Sequence, residues 1–198
     1  MAAEPYHVPV RSFWMGDVDG LVAIIGRAGA EALPLTLLAR GHGYVAVQWG
    51  ETVVVGVYFS PNRDLTQFET YLGQVATKIR RHLPGPVLVA GDFNAKSVDW
   101  GSPATDARGQ VLAEWGAELG LVLLNRGSAD TCVRHNGGSI VDLTFGTPPV
   151  ARKVVGWRVM EGSETLSDHR YIRWMSVKVG CLRPDLREPT TLPARKRR

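Results

Sequence analysis

Apolar positions along the chain follow two periods, and the switch between them marks out the elements. Short runs rich in Val and Ile at Leu21–Gly26, Tyr44–Trp49, Thr52–Phe59, Val87–Ala90, Leu121–Leu124, Ile140–Phe145, Val154–Met160 and Tyr171–Val177 predict strands. Two other stretches carry helical spacing. After Asp64, a good N-cap residue, Phe68, Tyr71, Leu72, Val75, Ile79 and Leu83 share one face until Pro84 and Gly85 stop the run. From about Asp106 to Leu119, Val111, Leu112, Trp115 and Leu119 form a second stripe, with Gly120 as its stop. Gly50 and Glu51 between two strand runs predict a hairpin, whereas Val87–Ala90 lies between the helices, so the connectivity is mixed. The pattern predicts the α/β class, with two sheets packed together and helices outside.

Composition narrows the picture. A chain of 198 residues, 44% hydrophobic, can bury one sizeable core, and the expected division is one domain over 1–178 followed by a basic, Pro-containing tail or linker over 179–198. No apolar stretch approaches the ~20 residues a membrane helix needs, and the N-terminus lacks the layout of a secretion signal, so neither a membrane nor export is expected. Cys132 and Cys181 are the two cysteines and have no zinc-like spacing. The net charge of +4 is carried by the end of the chain: from Cys181 onward there are six basic and two acidic residues, which leaves residues 1–180 balanced at seventeen each. Bulk charge is therefore weak evidence for a polyanionic partner, while Ala194–Arg198 reads either as a solvated end or as a nuclear-import or backbone-contacting patch.

Candidate chemistry recurs at strand ends. Val87–Asn94 delivers a carboxylate (Asp92) and an amide (Asn94) two residues apart, able to hold a water and a phosphate oxygen together; an Asp/Asn turn is the plain alternative. Asp142 lies in an otherwise apolar run, where an uncompensated carboxylate would cost several kcal/mol, and a hydrogen bond to His169 would compensate it. Ser167-Asp168-His169 offers a hard oxygen ligand next to an imidazole, and the adjacent pair requires a bend or strand start. Tyr58 and Asn62 bracket a Pro-containing turn that could grip a phosphate without charge, with buried packing of Tyr58 as the alternative. Glu4 precedes Pro5 in an extended segment.

Taken in order, Glu4-Pro5-Tyr6, Tyr58 with Pro61-Asn62, Gly91-Asp92-Phe93-Asn94-Ala95, Ser139–Asp142 and Ser167-Asp168-His169-Arg170 resemble the endonuclease/exonuclease/phosphatase superfamily. Within it, Gly91–Ser102 followed by Asp106-Ala107-Arg108-Gly109 is similar to the apurinic-type endonuclease domain of arthropod non-LTR retrotransposons. That resemblance implies a four-layer α/β sandwich and a Mg²⁺-dependent enzyme (Mn²⁺ as a substitute) that nicks one DNA strand. The released 3′-hydroxyl would prime reverse transcription by a polymerase domain of the same polyprotein that is absent from this chain, and the site of action would be the nucleus, after synthesis in the cytoplasm. By the same resemblance Glu4 and Asp168 are metal ligands, Asp142 orients His169, Asp92 and Asn94 position and deprotonate the attacking water, and Tyr58, Asn62 and Ser139 contact substrate; either Asp92 or His169 is the base. Arg134, Asn136 and Arg152, on Thr131–Gly138 and just after Gly146–Ala151, are candidates for reaching a groove. The superfamily begins with a strand carrying a metal-site Asn, and this chain starts three residues before Glu4. The resemblance therefore predicts an open sheet edge and looser metal coordination. Two further readings follow: a catalytically impaired, truncated remnant that at most binds DNA, and a phosphatase of small phosphorylated molecules on the same scaffold.

Overall fold

The computed structural model describes residues 2–3, 9, 13–27, 29 and 33–177. In chain order the strands are β1 (Ala2–Ala3), β2 (Trp14–Gly16), β3 (Val22–Ile25), β4 (Leu35–Gly41), β5 (Tyr44–Trp49), β6 (Thr52–Tyr58), β7 (Val87–Asp92), β8 (Val122–Leu123), β9 (Cys132–Arg134), β10 (Gly137–Ser139), β11 (Asp142–Gly146), β12 (Val154–Val159) and β13 (Ile172–Ser176). The helices are α1 (Leu65–Arg80), α2 (Ala107–Glu118) and the single turn α3 (Pro148–Ala151). All eight expected strands are present, Tyr44–Trp49 with the expected bounds and the others with shifted ends, and β1, β2, β4, β9, β10 and α3 are additional. Among the described residues no helix is long and apolar enough to cross a membrane.

Six strands form one mixed sheet in the order β4-β5-β6-β7-β11-β8, in which β6 and β7 are parallel and joined through α1. Its central strands β5, β6, β7 and β11 are buried on both faces, which is why they read as continuous apolar runs rather than alternating ones. Val53, Val55, Val57, Val87, Val89, Leu143 and Phe145 pack with Phe68, Leu72, Val75, Ile79, Leu112 and Trp115 of α1 and α2. The opposite face is covered by two separate antiparallel pieces, β1-β3-β2 and β12-β13. There Val45, Val47 and Tyr58 meet Val22 and Ile24, while Leu88 meets Trp157 and Ile172. An apolar groove of about 500 Å³ runs between the two pieces over Ala90 and Thr144.

Local chemistry fixes the helices. The Asp64 side chain accepts from the Gln67 backbone N–H while the Gln67 side chain accepts from the Asp64 N–H, a reciprocal cap worth about 1 kcal/mol. At α2 the Asp106 carboxylate accepts from Gly109 N at 2.7 Å and from Lys96 N at 3.2 Å. One side chain thus starts the helix and ties it to the loop after β7.

Candidate active site

Register places three of the expected residues in one row. Asp92, the last residue of β7, pairs with Tyr58, the last residue of β6, and with Asp142, the first residue of β11. Neighbours in register point the same way, and the row faces the side covered by the small sheets. Asp92 is 2% exposed, and Tyr58 packs beside Val22, Val45 and Val47. Asn94, just past β7, donates to both Asp92 oxygens: its backbone N–H to Oδ1 at 2.9 Å and its side-chain Nδ2 to Oδ2 at 2.8 Å. Nδ2 also reaches the Phe59 carbonyl at 3.1 Å, and the residue takes a left-handed φ of +46°.

His169 closes the row from the other layer. Its Nδ1 lies 2.8 Å from Asp142 Oδ2, the hydrogen bond anticipated for a carboxylate in an apolar strand, and its Nε2 lies 3.8 Å from Asp92 Oδ2. A proton on Nδ1 donated to Asp142 leaves Nε2 as the lone-pair side, facing Asp92. The imidazole is held there through backbone. His169 bridges Cys132 of β9, Arg170 N donates to the Thr131 carbonyl at 2.7 Å, and Val133 N donates to the Asp168 carbonyl at 2.8 Å. Thr131, which sequence reading did not single out, accepts through Oγ1 from both Val141 N and Asp142 N at 3.0 Å. It is fully buried and fixes the start of β11. Burial raises the Cys132 thiol above its ordinary range.

Asp168 diverges from His169, as the bend requires. Its carboxylate points outward to Arg134 Nε at 3.2 Å, with both side chains more than half exposed. Arg134, Ser139 and Asn136 line a polar cavity of about 530 Å³, with Pro61, Asn94, Lys96 and Arg108 also contributing to it. The Ser139 carbonyl accepts from Thr131 N. Asn62 sits exposed on the turn after β6, where its N–H donates to Ser60 Oγ at 3.3 Å, and it does not line the cavity. Glu4 lies outside the described residues. Arg152 does not belong here. β11 runs antiparallel to β7, so Gly146 pairs with Leu88 while Asp142 pairs with Asp92, which places α3 and Arg152 beyond the opposite end of the strand, roughly 13 Å or more from the row at ~3.3 Å per residue.

Among the described residues no group of three His, Cys, Asp or Glu side chains is arranged to hold a metal ion. Asp92 and Asp142 are engaged with Asn94 and His169. Asp168 is itself paired with Arg134 at the surface, and its carboxylate is a hard oxygen donor of the kind Mg²⁺ takes, an ion commonly held by one or two carboxylates together with waters and substrate phosphate oxygens.

A mixed sheet with helices on one face, and an Asp–His–Asp row at its strand ends, define a domain of the endonuclease/exonuclease/phosphatase class. Residues 52–173 match the family described as endonuclease-reverse transcriptase, and the chain belongs to that family. Among solved structures it is similar to the endonuclease domain of TRAS1, a telomere-specific non-LTR retrotransposon, at 30% identity and a TM-score of 0.68, over 82% of this chain and 75% of that one. The fold is shared with the 3′ phosphatase NExo from Neisseria bound to a product DNA hairpin (18% identity, TM-score 0.59, 79% of this chain and 74% of that one). It is shared also with an AP endonuclease from Archaeoglobus fulgidus (15% identity, TM-score 0.56, 78% and 73%). No curated protein sequence matches the chain. Its relatives are nucleases and phosphatases, which supports a hydrolase of the DNA endonuclease type.

Proposed function

We propose that the chain is a divalent-cation-dependent DNA endonuclease that nicks one strand and leaves a 3′-hydroxyl, the primer for reverse transcription by a polymerase domain of the same polyprotein. The observation that carries this reading is the imidazole set between two carboxylates, Asp142 on Nδ1 and Asp92 facing Nε2, at the strand ends. Water attacks phosphorus, its proton passes to a side-chain base, and the P–O3′ bond breaks, the leaving oxygen taking a proton from solvent to become the 3′-hydroxyl. Asp92 and His169 are the two candidates for the base. Asn94 holds both Asp92 oxygens, so this carboxylate is oriented before substrate arrives. Asp142 fixes the imidazole ring, and Tyr58, in register with Asp92 and packed beside Val22, Val45 and Val47, would meet a phosphate oxygen through its hydroxyl.

Asp168, with Glu4, would hold Mg²⁺ or Mn²⁺, which when bound neutralises charge developing on the phosphate. Arg134, Asn136 and Lys96 on the cavity wall suit a DNA backbone or base edges, and a nuclear site of action follows from a chromosomal target. The test is conversion of supercoiled plasmid to nicked circles by purified protein in Mg²⁺. The expected result is nicking by the wild type, its loss in Asp92→Ala and in His169→Ala, and its loss with a chelator. Salt-sensitive DNA binding without any nicking would instead mark a catalytically impaired remnant.

A further inference from the structure

The tetrapeptide Asp106-Ala107-Arg108-Gly109 enters the family likeness but none of the chemistry above, although three of its residues converge on the loop that carries Asn94. Arg108 contributes most. Its Nη1 donates to the Asn94 carbonyl at 3.2 Å and to the Ser60 carbonyl at 3.4 Å, and its Nη2 donates to the Pro61 carbonyl at 3.1 Å and to the Arg63 carbonyl. The plane of the group lies near two aromatic rings, with the guanidinium carbon 5.1 Å from the Phe59 centroid and 5.6 Å from that of Phe68. A surface arginine ordinarily seeks a carboxylate. Here one planar fork is taken up by backbone carbonyls from two separate loops, a geometry that the point charge of a lysine cannot reproduce.

Both loops border the site, the first through Pro61 on the cavity wall. One is the turn after β6 that bears Asn62; the other leaves β7 through Asp92 and Asn94. A non-glycine residue at φ +46° is disfavoured and persists when its surroundings over-determine it. The Asn94 peptide is held at both ends, its N–H on Asp92 and its carbonyl on Arg108, while its side chain spans Asp92 and Phe59. Separately, Asp106 N donates to the Lys96 carbonyl at 3.0 Å and the Asp106 carboxylate accepts from Lys96 N, so α2 stays docked without help from Arg108.

We infer that Arg108 is a positioning residue of the phosphodiester site: it locks the Ser60–Arg63 turn to the Asn94 backbone, and through Asn94 it sets the orientation of the Asp92 carboxylate toward His169. The inference rests on the nuclease reading of that site. It predicts a defect in turnover rather than in substrate affinity, because the guanidinium donors are committed to backbone and not to DNA.

The test uses the full chain with Arg108→Lys and Arg108→Ala, comparing thermal melting, nicking kinetics on duplex DNA, and the NMR signals of the Asn94 side-chain amide and the His169 ring. Expected are melting curves close to wild type, kcat lowered about tenfold or more with KM within about twofold, displaced Asn94 and His169 signals, and partial return of kcat and of those signals when guanidinium ion is added to Arg108→Ala. Wild-type turnover in Arg108→Lys, or a raised KM with unchanged kcat, would overturn the inference, the latter pointing to a phosphate contact. A collapse in melting temperature without rescue would also overturn it. Should the wild type itself fail to nick, the nuclease reading falls, and unmoved Asn94 and His169 signals in the variants would separately dismiss the positioning role.

Discussion

The same substitution, glycine to alanine, should have opposite signs in the two long helices. Gly73 in α1 is exposed, and a methyl there meets nothing within 4 Å. Alanine at that position gains about 0.5–1 kcal/mol through reduced backbone freedom in the unfolded chain. Gly109 sits in the first turn of α2, against the loop after β7, where a Cβ would overlap the Lys96 carbonyl oxygen and lie 2.6 Å from its carbon. Backbone cannot swing aside as a flexible side chain can. Relief requires α2 to back away, stretching the Asp106–Lys96 and Arg108–Asn94 bonds. Such overpacking costs about 1–3 kcal/mol, and overlap with a backbone oxygen puts it in the upper half of that range, so against a propensity gain of at most ~1 kcal/mol the net loss is about 1–2 kcal/mol. At about 2–4 °C per kcal/mol for a chain of this size, Gly109→Ala should melt roughly 2–8 °C below wild type and Gly73→Ala about 1–4 °C above it, by differential scanning calorimetry. A Gly109→Ala protein as stable as wild type, or two variants that shift in the same direction, would refute the described fit of α2 against the catalytic loop.

Further predictions follow from single contacts. Asp142→Asn keeps the shape of the side chain but loses the charge that steadies the His169 ring, so nicking should fall by about 10²-fold or more while duplex affinity, measured by fluorescence anisotropy, stays within about twofold. Unchanged turnover would remove Asp142 from the mechanism. Tyr71 donates its buried hydroxyl to the Gly43 carbonyl at 2.8 Å, and burial pushes its phenol above the ordinary range. The neutral phenol therefore supports the fold fully below the ordinary phenol range, and that support is lost as rising pH ionises the unfolded chain. Tyr71→Phe should be less stable by about 1 kcal/mol in urea at neutral pH and should lose less stability than wild type toward about pH 11.

How far the sequence spoke depended on whether a signal was local. The capped helices and the hairpin over Tyr44–Tyr58 were legible because Asp64, Asp106, Gly120 and Gly50 act within a few residues of themselves. The pairing of Tyr58, Asp92 and Asp142 was not legible as geometry, since it is created by a parallel pair and an antiparallel pair set far apart in sequence. β4 escaped notice because its Leu-rich segment, Leu35-Thr36-Leu37-Leu38-Ala39-Arg40-Gly41, is half exposed at the sheet edge and lacks the Val and Ile density of the central strands. β9 and β10 were hidden by glycines and polar residues, and they form a hairpin with a two-residue turn, tied down where Thr131 N donates to the Ser139 carbonyl and where His169 bridges Cys132. Arg152 was misplaced because strand direction, which decides which end of β11 meets the site, is not written in the strand itself. Arg108 carries a motif signal, yet its role depends on carbonyls more than forty residues away in the turn after β6.

The product end at the cleaved bond tests the central claim most directly. Duplex DNA nicked by the wild-type chain in Mg²⁺ should be extended by an added polymerase from the nick without prior end treatment, and His169→Ala should yield no extendable ends. Cleavage that leaves a 3′-phosphate, or extendable nicks formed equally well by His169→Ala, would contradict a site built on the imidazole between Asp142 and Asp92.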